Sequence, residues 1–286
     1  MHADHHLGLI HILTKRLTTS CVLNDSKSLS LDPIMVVGPS ELKHWLDEYI
    51  ASVEPSLYES YVFKDNRDFI EYTNDAVKPV INPSMKASMR NASDCHSTNC
   101  LPIPNLGLHL TTVKVIHCHD AYAIILRSCK DGKSNMGKGW SLVYSGDTIP
   151  CKNLIEAGKN CTVLIHEATL GDDMEEDAAK KKHSTFGQAL NVAQSMGAYR
   201  CILTHFSQRY PNRVHIKNEG KCLGELEDSK LAVSDDINIS KEVKYILAYD
   251  YLSCKLLDLE WLHSTTPAVN YLFDQLKKID AEEDIE

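Results

Sequence analysis

The chain of 286 residues holds ten cysteines but no C-x-x-C pair. That absence excludes the paired-cysteine zinc finger and ribbon. The thiols are scattered through segments of strand and helix character, and they read as reduced cysteines of an intracellular protein. No run approaches the roughly 18 apolar residues of a transmembrane helix, so no membrane partner is expected. The opening Met1-His2-Ala3-Asp4-His5-His6 has neither a basic stretch nor an apolar core, which excludes a secretory signal. Positive charge is in deficit, with 30 Lys and Arg against 39 Asp and Glu, a net charge of −9. That is the wrong sign for a protein that coats nucleic acid with its whole surface. Any RNA contact must come from local basic patches or from metal.

What is present suits a globular α/β protein, with 43% hydrophobic and 24% charged residues. Leu7, Ile10, Leu13 and Leu17 have helical spacing. Ile34–Gly38 reads as a short buried strand, and Ser40 is expected to cap a helix carrying Leu42, Trp45, Leu46, Tyr49 and Ile50. Alternation marks strands over Leu108–Ile116, Tyr122–Leu126 and Trp140–Tyr144. Further on, strands at Val163–Ile165 and Cys201–Leu203 alternate with a helix after Pro150 and another from Ser184 to about Met196. That alternation indicates a layered α/β domain. The domain is expected to span 1–250, with a flexible insertion at 79–104, rich in Asn, Ser and Pro. A strand-like Val243–Tyr251 comes last, and 251–286 is expected to form a C-terminal helix and a solvated acidic tail.

Histidines recur where strands end. His2-Ala3-Asp4-His5-His6 precedes a helix, His117 follows one strand, Ser145-Gly146-Asp147-Thr148 another, and Thr204-His205-Phe206 a third. Loops after successive strands gather distant residues at one sheet edge. Imidazole and carboxylate are zinc ligands, and a carboxylate can bridge two ions. Two ions ~4 Å apart can clamp a phosphodiester and generate a hydroxide nucleophile. His119 competes with His117 by alternation, His166 reads as a satisfied core histidine, and His6 as structural.

These residues resemble those of the metallo-β-lactamase-fold hydrolases, whose pattern is H-x-H-x-D-H, a lone His, an Asp and a final His. Here the order is His2-Ala3-Asp4-His5, His117, Asp147 and His205. The accompanying words, His166-Glu167-Ala168-Thr169, His183-Ser184-Thr185 and His205-Phe206-Ser207-Gln208-Arg209-Tyr210, resemble the catalytic half of long-form ribonuclease Z. The resemblance runs from Met1 to about Tyr210 and is weakest over 51–106. It implies an αββα sandwich and a zinc-dependent endoribonuclease that removes the 3′ trailer from precursor tRNA. It implies two Zn2+ ions, one held by His2, His117 and Asp147, the other by Asp4, His5, Asp147 and His205. Asp4 would also act in catalysis, His183 would donate a proton to the departing 3′ oxygen, and Glu167 would orient or polarise the site. Lys182, Arg209 and Arg213 are candidate RNA contacts. Nucleus and mitochondrion are the implied compartments.

The first His of the H-x-H-x-D-H pattern would precede Met1. The expectation is therefore a truncated form, with a sandwich incomplete on its N-terminal side, one zinc site short of a histidine, and impaired activity. Self-association, or pairing with a missing N-terminal half, would follow. Two other readings stand beside it: a different metallo-β-lactamase-fold phosphodiesterase, and a non-catalytic fragment that binds metal or partners.

Overall fold

The computed structural model describes residues 6–23, 32–71, 100–128, 139–207 and 243–269, together with Tyr271 and Gln275. The chain divides into two compact units, Met1–Ile70 and Glu71–Glu286. Their boundary lies inside the span 1–250 expected as one domain.

In the first unit, helix α1 (Gly8–Leu23) is followed by strand β1 (Ile34–Gly38), helix α2 (Ser40–Ser52) and strand β2 (Tyr61–Asp65). The strands pair in parallel from Ile34↔Tyr61 to Gly38↔Asp65, with α2 as the crossover that parallel pairing requires. Leu13, Val36, Leu46, Ile50 and Leu57 form the core, and His6 sets its ring edge against Trp45 at 4.6 Å. Of the spaced apolar residues at the start, Leu7 precedes α1 and is exposed. Ser40 is not the cap of α2. The cap position belongs to Pro39 in an extended conformation, without a side-chain bond, and the Ser40 hydroxyl accepts from Arg67 Nη2 at 3.0 Å.

The second unit is built on a seven-stranded sheet in sequential order, β3 (Leu101–Ile103), β4 (Leu108–Lys114), β5 (Tyr122–Ser128), β6 (Ser141–Tyr144), β7 (Val163–Glu167), β8 (Arg200–Thr204) and β9 (Tyr245–Leu247). From β3 to β6 the pairing is antiparallel, and from β6 to β9 it is parallel. The change tracks the connections. The 115–121 link is short enough for an antiparallel neighbour, whereas α3 (Lys152–Ala157) separates β6 from β7. Likewise α4 (Glu175–Lys181) and α5 (Phe186–Met196) separate β7 from β8.

The run Val163-Leu164-Ile165 lacks alternation because both faces of β7 are covered. Leu164, Cys201 and Leu203 join a core with Leu154, Ala189, Val192 and Met196 of the helices. Val163 and Ile202 point the other way, onto Leu259 and Leu262 of the 3-10 turns Leu256–Glu260 and Leu262–Thr265. Six cysteines among the described residues are free thiols, Cys161 and Cys201 among them. Burial pushes the Cys161 thiol up to about 12.

Strand β4 also anchors what flanks the stretch 72–99. Before it, the Glu71 amide donates to Thr112 O at 2.7 Å. The Glu71 carboxylate takes a two-pronged ion pair from Arg127, with Nη1–Oε2 at 2.7 Å and Nη2–Oε1 at 3.0 Å. After it, Leu101–Ile103, inside the span expected as an insertion, is the strand that pairs with Leu108–Leu110. The expected C-terminal helix and acidic tail lie largely outside the described residues.

Helix α5 is capped by Thr185, not by Ser184. The Thr185 hydroxyl accepts from Gln188 N, the Gln188 side chain accepts from Thr185 N, and Gly197 closes the far end in the left-handed conformation. Ser184 is fully buried, and its hydroxyl donates to Thr148 O at 2.6 Å. The Ser184 hydroxyl thus ties the 183–185 segment to the loop after β6.

Candidate metal centre

Two antiparallel steps, β4 to β5 to β6, bring β6 back to the direction of β4, and β7 and β8 follow in parallel. The C-terminal ends of β4, β6, β7 and β8 therefore share one edge of the sheet. From those ends come His117, Asp147, Thr169 and His205. Lys182 and His205 adopt the left-handed conformation here, with φ of 57° and 63°, and Gly146 takes it at 60° without a side-chain penalty. Left-handed non-glycine residues cost on the order of 1–3 kcal/mol each and persist where surrounding contacts fix them. The loops are stitched together. Ile116 N donates to Thr148 Oγ1 at 3.1 Å, Ile149 N to Ile116 O at 3.2 Å, and Ser207 N to Thr169 O at 3.1 Å.

Asp147, 8% exposed, turns one carboxylate oxygen to each of two histidines. His117 Nε2 stands 3.8 Å from Oδ2, and His205 Nδ1 stands 3.8 Å from Oδ1. The Nδ1 of His117 donates to the backbone carbonyl of Lys182 at 2.8 Å. A carbonyl can only accept, so this bond fixes the proton on Nδ1 and leaves Nε2 as the donor atom for a cation.

Glu167 is 2% exposed and accepts four hydrogen bonds. Its Oε1 takes Thr148 N–H and His183 Nδ1–H, each at 2.9 Å. Its Oε2 takes the Thr169 hydroxyl at 2.6 Å and the Thr169 amide at 3.2 Å. Burial by itself pushes this carboxyl up. The bonds from His183 and Thr169, with that from Thr148, outweigh burial and hold it below the usual carboxylate value. The ring of His183 lies between the other two, with centroids 4.8 Å from His117 and 5.6 Å from His205.

Two groups of possible ligand atoms result, His117–Asp147–His183 and Glu167–His183–His205, each with all its atoms within 4.8 Å of one another. Donors ~2.1 Å from one tetrahedral zinc stand ~3.4 Å apart, so the 3.8 Å separation between His117 Nε2 and Asp147 Oδ2 needs only a small contraction. Imidazole nitrogen with carboxylate oxygen is also the donor chemistry zinc takes. The residues fit the metal.

Five of the residues singled out in the sequence thus come together: His117, Asp147, Glu167, His183 and His205. Lys182 joins them through its backbone, with its side chain exposed. His2, Asp4, His5, Arg209 and Arg213 lie outside the described residues. The competing His119 has a side chain 92% exposed and pairs with Asp120, away from the cluster. His166 is fully buried and donates Nδ1–H to the Glu167 carbonyl at 2.7 Å, and burial lowers its proton affinity. Sequence reasoning gave Thr169 no role. Its place two residues after Glu167, in the loop leaving β7, is the signal that could have found it.

No protein-family model matches the chain. Curated relatives do. The mitochondrial tRNase Z TRZ4 of Arabidopsis thaliana is 32% identical over 306 residues, covering 96% of this chain and 29% of its own length. The mitochondrial ribonuclease Z of Drosophila melanogaster is 32% identical over 270 residues, covering 94% and 28%. The zinc phosphodiesterase ELAC protein 2 of Homo sapiens is 36% identical over 212 residues, covering 73% and 22%. The chain thus spans less than a third of the length of each relative. Among solved structures, a long form RNase Z from yeast superposes with a TM-score of 0.68 at 24% identity, over 96% of this chain and 34% of that one. At that identity the likeness is one of fold.

Proposed function

Because this chain is homologous over most of its length to the ribonuclease Z family, and shares its metallo-β-lactamase fold, we propose that it is a zinc-dependent endonuclease cutting the 3′ trailer from precursor tRNA. The observation that carries the reading is Asp147 set between His117 and His205, with the Glu167–His183 pair beside it.

His117, Asp147 and His205 would hold zinc, Asp147 offering one carboxylate oxygen toward each histidine. By motif order alone His2, Asp4 and His5 would supply further ligands, and Asp4 would have a catalytic role as well. Bound zinc supplies Lewis acidity toward the phosphoryl oxygens and toward water. His183 does the proton work. With Nδ1–H held on Glu167 Oε1, its Nε2–H is the proton for the departing 3′ oxygen, and the buried carboxylate stabilises the imidazolium that donates it. The products are a tRNA with a 3′-hydroxyl and a trailer with a 5′-phosphate. Lys182, Arg209 and Arg213 supply phosphate contacts that the net charge of −9 does not. The names of the two mitochondrial relatives support a mitochondrial site of action. Among the described residues no helix is long and apolar enough to cross a membrane.

The test is cleavage of a precursor tRNA with a 3′ trailer by the zinc-loaded chain, beside Asp147→Ala and a small phosphodiester. Trailer release by the parent and loss in the variant support the reading. Hydrolysis of the small diester alone would assign a different phosphodiesterase, and zinc binding without turnover on either substrate would assign a non-catalytic role.

A further inference from the structure

We propose that Thr169 is a positioning residue that decides which nitrogen of His205 is open to metal. The inference rests on the reading of His205 as a zinc ligand. A threonine hydroxyl has one proton and two lone pairs. Here it lies 2.6 Å from Glu167 Oε2, 2.8 Å from His205 Nδ1 and 3.3 Å from His183 Nδ1. The Glu167 carboxylate has no proton to give, so the shortest of these contacts takes the threonine's. The hydroxyl oxygen then faces His205 as an acceptor, and the bond at 2.8 Å forms only when His205 carries its proton on Nδ1. Asp147 Oδ1, at 3.8 Å from the same nitrogen, is too far to replace it. In the neutral ring Nε2 is then the basic atom.

Glu167 thus orients His183 directly and His205 through one hydroxyl. Thr169 is held for this from both sides. Its amide donates to Glu167 Oε2 at 3.2 Å, and its carbonyl accepts from Ser207 N, two residues past His205, at 3.1 Å. The branched Cβ limits the rotamers through which the hydroxyl could leave. An outer hydrogen bond of this kind fixes the orientation of a ligand imidazole and raises its basicity, and its loss costs about 10–100-fold in metal affinity.

The experiment compares zinc affinity, by competition with a chromogenic chelator, for the parent chain, Thr169→Val and Thr169→Ser. Valine keeps the shape and removes the hydroxyl, whereas serine keeps the hydroxyl. The expected result is a fall of about 10–100-fold in affinity for Thr169→Val and recovery to within a few-fold for Thr169→Ser. Equal affinity for parent and valine variant overturns the inference and leaves the zinc reading standing. Equal loss in both variants also overturns it, since packing would then be the cause. A parent that binds no zinc overturns both. Side-chain 15N shifts of the metal-free parent, with His205 assigned by substitution, give a readout independent of variant folding. A proton on Nδ1 supports the relay, and a proton on Nε2 ends it.

Discussion

His117 and Lys182, 65 residues apart in sequence, are joined by a single bond of 2.8 Å from Nδ1 to a backbone carbonyl. That carbonyl belongs to a residue in the left-handed conformation at the end of α4. The Lys182 backbone therefore holds the His117 ring, while its side chain is exposed and is a proposed contact for RNA. Lys182→Gly keeps the conformation and removes the charge. Its stability should stay within about 1 kcal/mol of the parent and its zinc affinity should hold, while KM for precursor tRNA rises. Lys182→Val, with a branched Cβ at φ of 57°, should lose about 1–3 kcal/mol and weaken zinc binding. Chemical unfolding and chelator competition read both.

Glu167→Gln should be harmful beyond the loss of charge. The carboxylate accepts four hydrogen bonds in a site 2% exposed, and an amide nitrogen can accept none of the two on its side. Leaving buried donors unmet costs about 1–3 kcal/mol each. Equilibrium unfolding should show a loss of at least that size, and kcat should fall more than KM rises.

Gly146 has a φ of 60°, and a Cβ there would stand 3.3 Å from Tyr122 O. Gly146→Ala should therefore cost about 1–2 kcal/mol in the folded chain. Because Asp147 follows directly, zinc affinity should fall with it. Urea denaturation and metal analysis of the same preparation check both parts.

Zinc should stabilise the fold by mass action. At about 100 times its dissociation constant a ligand specific to the native state adds about 2.7 kcal/mol. The melting temperature should rise with zinc and return on chelation. Asp147→Ala should abolish most of that rise, and an undiminished rise in this variant would place the metal elsewhere.

The strands were legible where their neighbours impose a pattern. Alternation of burial accompanies β5 at its start, whereas β4 is buried on both faces over Leu110–Val113, and the unbroken run at Val163 marked a strand covered on both sides. The ligand candidates were legible because His117, Asp147 and His205 each follow a strand, and strand order decides which ends meet. Caps were less legible. Ser40 and Ser184 have the right chemistry, but their neighbours Pro39 and Thr185 hold the extended conformation that a cap needs. Thr169 and the Lys182 carbonyl escaped notice for a deeper reason. Their roles come from hydrogen bonds across loops, and no periodicity records those.

Strand β4 receives the chain on both sides of the 72–99 stretch, through the Glu71 amide before it and through β3 after it. Its entry and exit share one rail. The register of β4 on β5 is fixed by pairs from Leu108↔Ser128 to Lys114↔Tyr122. The sheet edge that carries His117 is thereby held from both flanks of β4, by Glu71 on one side and by Leu101–Ile103 on the other, whatever length of chain joins them.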